Sequence, residues 1–145
     1  MKKNEFVKSL NVSRETLNGF YEYETLLSKW NEKINLVSKN TLVDIWERHF
    51  LDSGQIIKHV EASGKRWVDV GSGAGFPGLV VALLLRDRKI DCDLVLVEKN
   101  PKKSFFLNEV IRKLNLSVEV VNDNIDNLEP LNADILTARA FSELN

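Results

Sequence analysis

The chain reads as an α/β protein in which a parallel sheet flanked by helices follows an N-terminal helical cap. Three observations predict this. A glycine-rich strand-turn-helix signature occupies Arg66–Gly78, strand and helix patterns alternate after it, and apolar residues recur at helical spacing before it.

The signature RWVDVGSGAGFPG is the stretch the rest of the chain serves. Trp67, Val68 and Val70 form a short β-branched run suited to a buried strand, whereas Leu79–Leu85 (LVVALLL) is long enough to continue as a core helix. Pro77 suits a first helical turn, where its missing N–H costs nothing. Between strand and helix, Gly71, Gly73 and Gly75 permit backbone conformations closed to other residues and a close approach to a ligand. The helix start offers free N–H groups and partial positive charge, which predicts a carboxylate or phosphate on the bound molecule.

Spacing narrows the ligand. In the dinucleotide fingerprint G-x-G-x-x-G the third glycine would fall at position 76, which is Phe76. The pattern G-x-G-x-G instead resembles the first motif of S-adenosylmethionine (AdoMet) methyltransferases, where the turn faces methionine and ribose. The next strand run, LVLVEKN, ends on Glu98, 23 residues after Gly75, and a carboxylate there accepts from both ribose hydroxyls. The alternative is a glycine turn that serves tight packing alone.

Before the signature, Ser13 is a plausible N-cap with Glu15 in the first turn, for a helix whose apolar stripe is Leu17, Phe20, Tyr21, Leu27, Trp30 and Ile34. Thr41 with Asp44 resembles a capping arrangement for TLVDIWERHF, and Asp52 or Ser53 would cap a third helix. The pattern breaks at ASGK, Ala62–Lys65, which places a cap over residues 1–63 and a sheet domain over 64–145. Cys92 is the single cysteine, which excludes an internal disulfide framework and fits a reducing cytoplasm. The longest apolar run, Phe76–Leu85, is ten residues, too short to span a bilayer. The charge is 11 basic and 9 acidic residues through Arg66, then 9 and 12, so composition alone leans against a polyanionic partner.

After the signature the expected order is strand Asp93–Glu98, helix Pro101–Leu114, strand Ser117–Asn122, a turn-like NDNIDN segment and strand Asp134–Arg139. Alternation of this kind implies a parallel sheet with right-handed crossovers and the motif strand lying centrally. Phe105, Phe106, Val110, Ile111 and Leu114 give the second helix its expected core face. Ligands bind beyond the carboxyl ends of such strands, where Gly71, Glu98, the residues after Asn122 and Arg139 converge. Four strands are few for this architecture, and the expectation is a chain truncated at its C-terminus with an unpaired last edge.

Lys29–Asn40 (KWNEKINLVSKN) and Glu47–Gly54 (ERHFLDSG) are more polar than helix packing requires, and Asn35, His49 and Asp52 are candidates for positioning a substrate. A His49–Asp52–Ser53 triad has no nucleophile elbow around Ser53; capping by Asp52 or Ser53 and a hydrogen-bonded structural His49 is the competing reading. Metal binding has little support, since His49 and His59 stand ten apart with no carboxylate at ligand spacing. Lys102, Lys103, Arg112 and Lys113, with Glu109, read as a solvated helix face. Arg139, at the mouth end of the apolar run ADILTARAF, needs a partner that a ligand pocket supplies.

NLVS (Asn35–Ser38), RHFLDS (Arg48–Ser53), WVDVGSGAGFPG and TARAF (Thr137–Phe141), in this order and spacing, resemble the bacterial RsmG family, also called glucose-inhibited division protein B. The resemblance covers nearly the whole chain and implies a class I AdoMet methyltransferase, Rossmann-like in fold and cytoplasmic, that modifies guanine N7 in small-subunit (16S) ribosomal RNA. It implies AdoMet contacts from Gly71 and Phe76, from Ile125 and Asp126, and from Arg139. Asn124 stands where the family often has Arg. Guanine N7 has a lone pair and no proton, so no general base is expected, and His49 and Arg139 should shape the site. The competing functions are a nicotinamide-dependent oxidoreductase, disfavoured by Phe76, and a non-catalytic AdoMet- or nucleotide-binding module.

Overall fold

A computed structural model describes residues 2–138. The expected strands β1 (Arg66–Val70), β2 (Asp93–Val97), β3 (Glu119–Val121) and β4 (Ile135–Ala138) form one parallel sheet in the order β3-β2-β1-β4, with the motif strand central as expected. Register aligns Val70 with Val97 and with Ala138, so the carboxyl ends of β1, β2 and β4 lie level. Arg139 and Phe141 lie outside the described residues.

Alternation along the strands divides the apolar residues between two faces. Trp67, Leu94 and Leu96 join one large core with helices α5 (Gly78–Asp87) and α6 (Pro101–Leu114), while Val68, Val95 and Val97 form a smaller cluster against Leu128 and Leu131. The N-terminal helices α1 (Lys2–Leu10) and α2 (Arg14–Asn31) bury Phe6, Leu10, Phe20, Tyr23 and Leu27 in that large core. Cap and sheet layer therefore share one apolar interior.

Local chemistry accounts for most boundaries. Ser13 caps α2 as expected, its side chain accepting from the Thr16 N–H. Asn100 caps α6 by accepting from Lys102 and Lys103 N–H, Pro101 takes the first position, and Asn115 ends the helix in the left-handed conformation at φ +59°.

Five expectations are corrected. Tyr23, not Tyr21, belongs to the buried stripe of α2: Phe20, Tyr23 and Leu27 lie three and four apart, and Tyr21 is turned about 100° from Phe20 and 38% exposed. Phe105 is 57% exposed, because Phe106, Leu107, Val110 and Leu114 define the inward sector of α6 and Phe105 lies one residue round the helix from it. The cap of α3 (Lys39–Val43) is Ser38, which accepts from the Thr41 N–H, and Asp44 follows the helix. Neither Asp52 nor Ser53 is a helix N-cap: the chain runs from the π-helical turn Trp46–Leu51 through Asp52 into α4 (Asp52–Gly54) and a 3-10 turn at Gln55–His59 in continuous right-handed conformation, with no fresh helix start between them. Pro77 is placed at the N-cap of α5, one position before the first turn.

Candidate functional site

The loop from Gly71 to Pro77 lies over the carboxyl ends of β1 and β2. Gly71 N–H donates to Val97 O at 2.8 Å, which starts the turn across the neighbouring strand. Gly71, Gly73 and Gly75 all have positive φ, at +72°, +53° and +101°, yet the last two face different surroundings. Among the described residues a Cβ built on Gly73 would meet only Gly71 O, at 3.9 Å, so that side of the loop opens away from them. At Gly75 the same atom would collide with the Tyr23 hydroxyl and with Leu79 Cδ1 at 2.6 Å. Gly73 permits approach to a ligand, and Gly75 permits the cap to close on the loop, where the Tyr23 hydroxyl donates to Ala74 O.

Glu98 lies where the ribose argument places it, at the end of β2, and is 6% exposed. Its Oε1 accepts from Gly73 N–H at 2.7 Å and its Oε2 from Asn100 N–H at 2.9 Å. Each carboxylate oxygen retains a second lone pair, so acceptance from a ribose hydroxyl is compatible with both bonds. Asn122 holds the turn from beyond β3 by donating to Glu98 O at 2.9 Å and Lys99 O at 3.2 Å.

Asp69 is the residue the sequence reading overlooked. Fully buried in β1, it accepts from Ser72 Oγ at 2.9 Å and Gly78 N–H at 3.2 Å through Oδ2, and from Thr137 Oγ1 at 2.8 Å through Oδ1. Trp67 Nε1 donates to the same Thr137 oxygen at 3.1 Å, so the network ties β1, β4 and both ends of the glycine loop together. Burial pushes its carboxyl up to about 6, with Glu98 adding to the rise and the hydrogen bonds from Thr137, Ser72 and Gly78 opposing it. The available signal was an acid inside an apolar strand run, a placement that is unfavourable unless the carboxylate is hydrogen-bonded. The group that Gly78 N–H meets at the start of α5 is the Asp69 carboxylate, in place of the carboxylate or phosphate of a bound molecule that was expected there.

The remaining candidates separate into groups. Phe76 turns its ring into the cap, stacked on His49 with centroids 4.4 Å apart and planes 6° from parallel, beside Tyr23 and Phe50. Any cofactor contact from Phe76 therefore falls to its backbone. His49 and Asp52 line a cleft of about 430 Å³ with Thr41, Glu47 and Arg48. Asn35 is exposed in the loop before α3, which Asn31 shapes by accepting from Leu36 and Val37 N–H at 2.8 and 3.0 Å. Ile125 and Asp126 stand in a short 3-10 turn beyond β3, with Asn124 accepting from Asp126 N–H at 3.0 Å. Among the described residues no three His, Cys, Asp or Glu side chains are grouped to hold a metal, and no helix is long and apolar enough to cross a membrane.

The loop's hydrogen bonds discriminate between ligand classes. A phosphate cradle aims backbone N–H groups at the anion. Here Gly71 and Ser72 donate to Val97 O, Gly73 to Glu98, Gly75 and Phe76 to Ser72 O, and Gly78 to Asp69. With those donors committed and two buried carboxylates beside the loop, the site suits a polyol and a cationic group better than a pyrophosphate.

Comparisons with known proteins agree with this reading. The GidB family model, described as rRNA small subunit methyltransferase G, matches residues 16–145. The chain is 44% identical over 94% of its length to ribosomal RNA small subunit methyltransferase G of Ruegeria pomeroyi, and 43% identical over its full length to that of Paramagnetospirillum magneticum, spanning 66% and 68% of those proteins. A SAM-dependent methyltransferase from Aquifex aeolicus superposes with TM-score 0.52 and 25% identity over 65% of this chain and 51% of that one. The sheet and glycine loop are those of the class I, Rossmann-like methyltransferase fold, and the chain belongs to the rRNA small subunit methyltransferase G family.

Proposed function

We propose that this chain forms the AdoMet-binding part of an enzyme that methylates guanine N7 in small-subunit ribosomal RNA in the cytoplasm, with residues 1–63 as a helical cap over the cofactor unit that begins at residue 64. The carrying observation is the Gly73–Glu98 pair: an opening that a Cβ would fill lies beside a carboxylate at the end of β2. These residues fit AdoMet, whose ribose diol needs an acceptor and whose methionine needs a close-approach turn.

AdoMet, when bound, supplies a methyl group activated on a sulfonium. The chain's own residues then bind and orient. Gly71 and Gly73 admit the ligand to the loop backbone, Glu98 accepts from the ribose, and Ile125, Asp126 and Arg139 close the remaining contacts. Asp69 and Asn122 hold the loop and the β2 turn in position. The N7 atom carries no proton, so no side chain has one to remove, and positioning supplies most of the rate. Asn35, His49 and Asp52 act on placement of the RNA.

The test is transfer of a labelled methyl group from AdoMet to isolated small ribosomal subunits or their RNA by the full-length protein, with the product mapped by strand cleavage at 7-methylguanine. Incorporation at guanine N7 is the expected result; incorporation at another atom or into protein overturns the assignment.

A further inference from the structure

The exposed ring of Phe105 has a setting that a stray surface aromatic lacks. It projects 57% exposed from the second turn of α6 and rests on Trp30 of α2, ring centroids 5.5 Å apart. Trp30 is anchored behind by Phe106 at 6.1 Å, and Lys33 Nζ stands 6.0 Å from its ring centroid. The segments that carry this pair, residues 29–33 and 99–105, hold Lys29, Lys33, Lys99, Lys102 and Lys103 against one acid, Glu32, in a chain of formal charge −1, and the neighbouring Glu109, one turn on from Phe105 and near Lys29, is itself paired to Arg112. Lys29, Lys33, Lys99 and Lys102 are exposed. The two segments come together because α2 packs on α6. Phe105 is about 6 Å along the helix axis from Pro101 at 1.5 Å per residue, and α6 starts three residues after Glu98. The aromatic pair thus stands at the same end of the sheet as the glycine loop.

We propose that Phe105 and Trp30 form a stacking platform for an unpaired base of the RNA substrate, flanking the base that enters the site, with the surrounding lysines pairing with its phosphates. The proposal rests on the rRNA methyltransferase reading. Single-stranded RNA is recognised by aromatic rings that take unstacked bases and by cationic side chains that follow the backbone, and this patch combines both. A folded partner protein would be expected to bury a larger apolar area than this one exposed ring offers. The positive charge selects a polyanion.

The test uses the full chain and a fluorescein-labelled single-stranded RNA of small-subunit sequence, with the same sequence as a duplex for comparison. Affinity is read by anisotropy, and AdoMet affinity is measured in parallel. Phe105→Ala should weaken binding of the single strand roughly tenfold, the loss of one base stack, while Phe105→Tyr binds as the unaltered chain does. AdoMet affinity and melting temperature should be unchanged in both variants. Lys33→Glu should weaken single-strand binding and flatten its salt dependence. If Phe105→Ala binds RNA as tightly as the unaltered chain, the platform is wrong even though AdoMet binding persists. If only the lysine change matters, the patch is electrostatic and the stack is wrong. If the unaltered chain binds neither AdoMet nor RNA, the functional reading fails and the platform with it.

Discussion

Glu98 Oε1 accepts the Gly73 N–H at 2.7 Å, joining the end of β2 to the outward-opening point of the glycine loop that follows β1. One carboxylate thereby fixes the shape of the loop and retains lone pairs for a ligand. The same buried group also holds the Asn100 N–H at the start of α6. Cofactor affinity and loop order are consequently linked through one side chain.

Replacing Glu98 with Ala should weaken AdoMet binding by about 1.5–3 kcal/mol, the usual range for hydrogen bonds to a charged group. It should also lower the melting temperature, since two buried backbone donors lose their acceptor. Calorimetry with AdoMet, beside a thermal scan, reads both effects. A destabilised variant with unaltered affinity would make Glu98 a structural residue alone, and a stable one with unaltered affinity would make it idle.

Gly73 and Gly75 should separate in their consequences. Gly73→Val places a side chain in the open side of the loop, so AdoMet binding should be abolished with only a modest fall in stability, on the order of the 1–2 kcal/mol for a left-handed residue. Gly75→Ala forces a Cβ into Tyr23 and Leu79 and should unfold the contact between cap and loop, lowering the unfolding midpoint in urea by more than Gly73→Val does. Equal midpoints for the two variants would contradict this division of roles.

Asp69 carries a pH dependence whose sign is opposite to that of an ordinary paired carboxylate. Its pKa in the folded chain, about 6, lies above the reference value of 3.8, so folding favours the protonated form. This contribution is fully present below the reference value and is lost as pH rises through about 6. Linkage sets the loss at about 3 kcal/mol across that window. Urea unfolding of the unaltered chain and of Asp69→Asn, from pH 4 to pH 8, should show the difference in stability shifting against the unaltered chain over this range. A difference that stays constant would show that Asp69 does not titrate there.

His49 stacks on Phe76, and the chemistry at N7 asks it for no proton. His49→Gln in the full-length protein should slow single-turnover methylation through placement, leaving the pH profile with its original shape. A step near pH ~6.5, the ordinary histidine value, that is present before the change and absent after it would require a catalytic base.

The elements with strong local signals were legible in advance. Ser13 and Pro101 mark helix starts through their own side chains, and the glycines mark the turn through a backbone freedom no other residue has. Tyr23, Phe105 and Asp69 were not legible in the same way. Which of two neighbouring aromatics faces inward depends on the rotation of α2 and α6 against the sheet, and that is settled by packing partners far away in sequence. Asp69 was hidden because its partners, Thr137 on β4 and Gly78 at the head of α5, meet it only once the sheet has formed. The division of labour between Gly73 and Gly75 likewise depends on where Tyr23 arrives. The spacing of the glycines pointed away from a dinucleotide, and the hydrogen bonds of the loop explain why in terms of committed donors.

The most direct test of the central claim is equilibrium binding of AdoMet, S-adenosylhomocysteine and NAD to the purified chain by titration calorimetry, with Gly73→Val alongside. The first two ligands should bind, NAD should not, and the variant should bind none. Binding of NAD in preference to AdoMet, or undiminished AdoMet affinity in Gly73→Val, would contradict that claim.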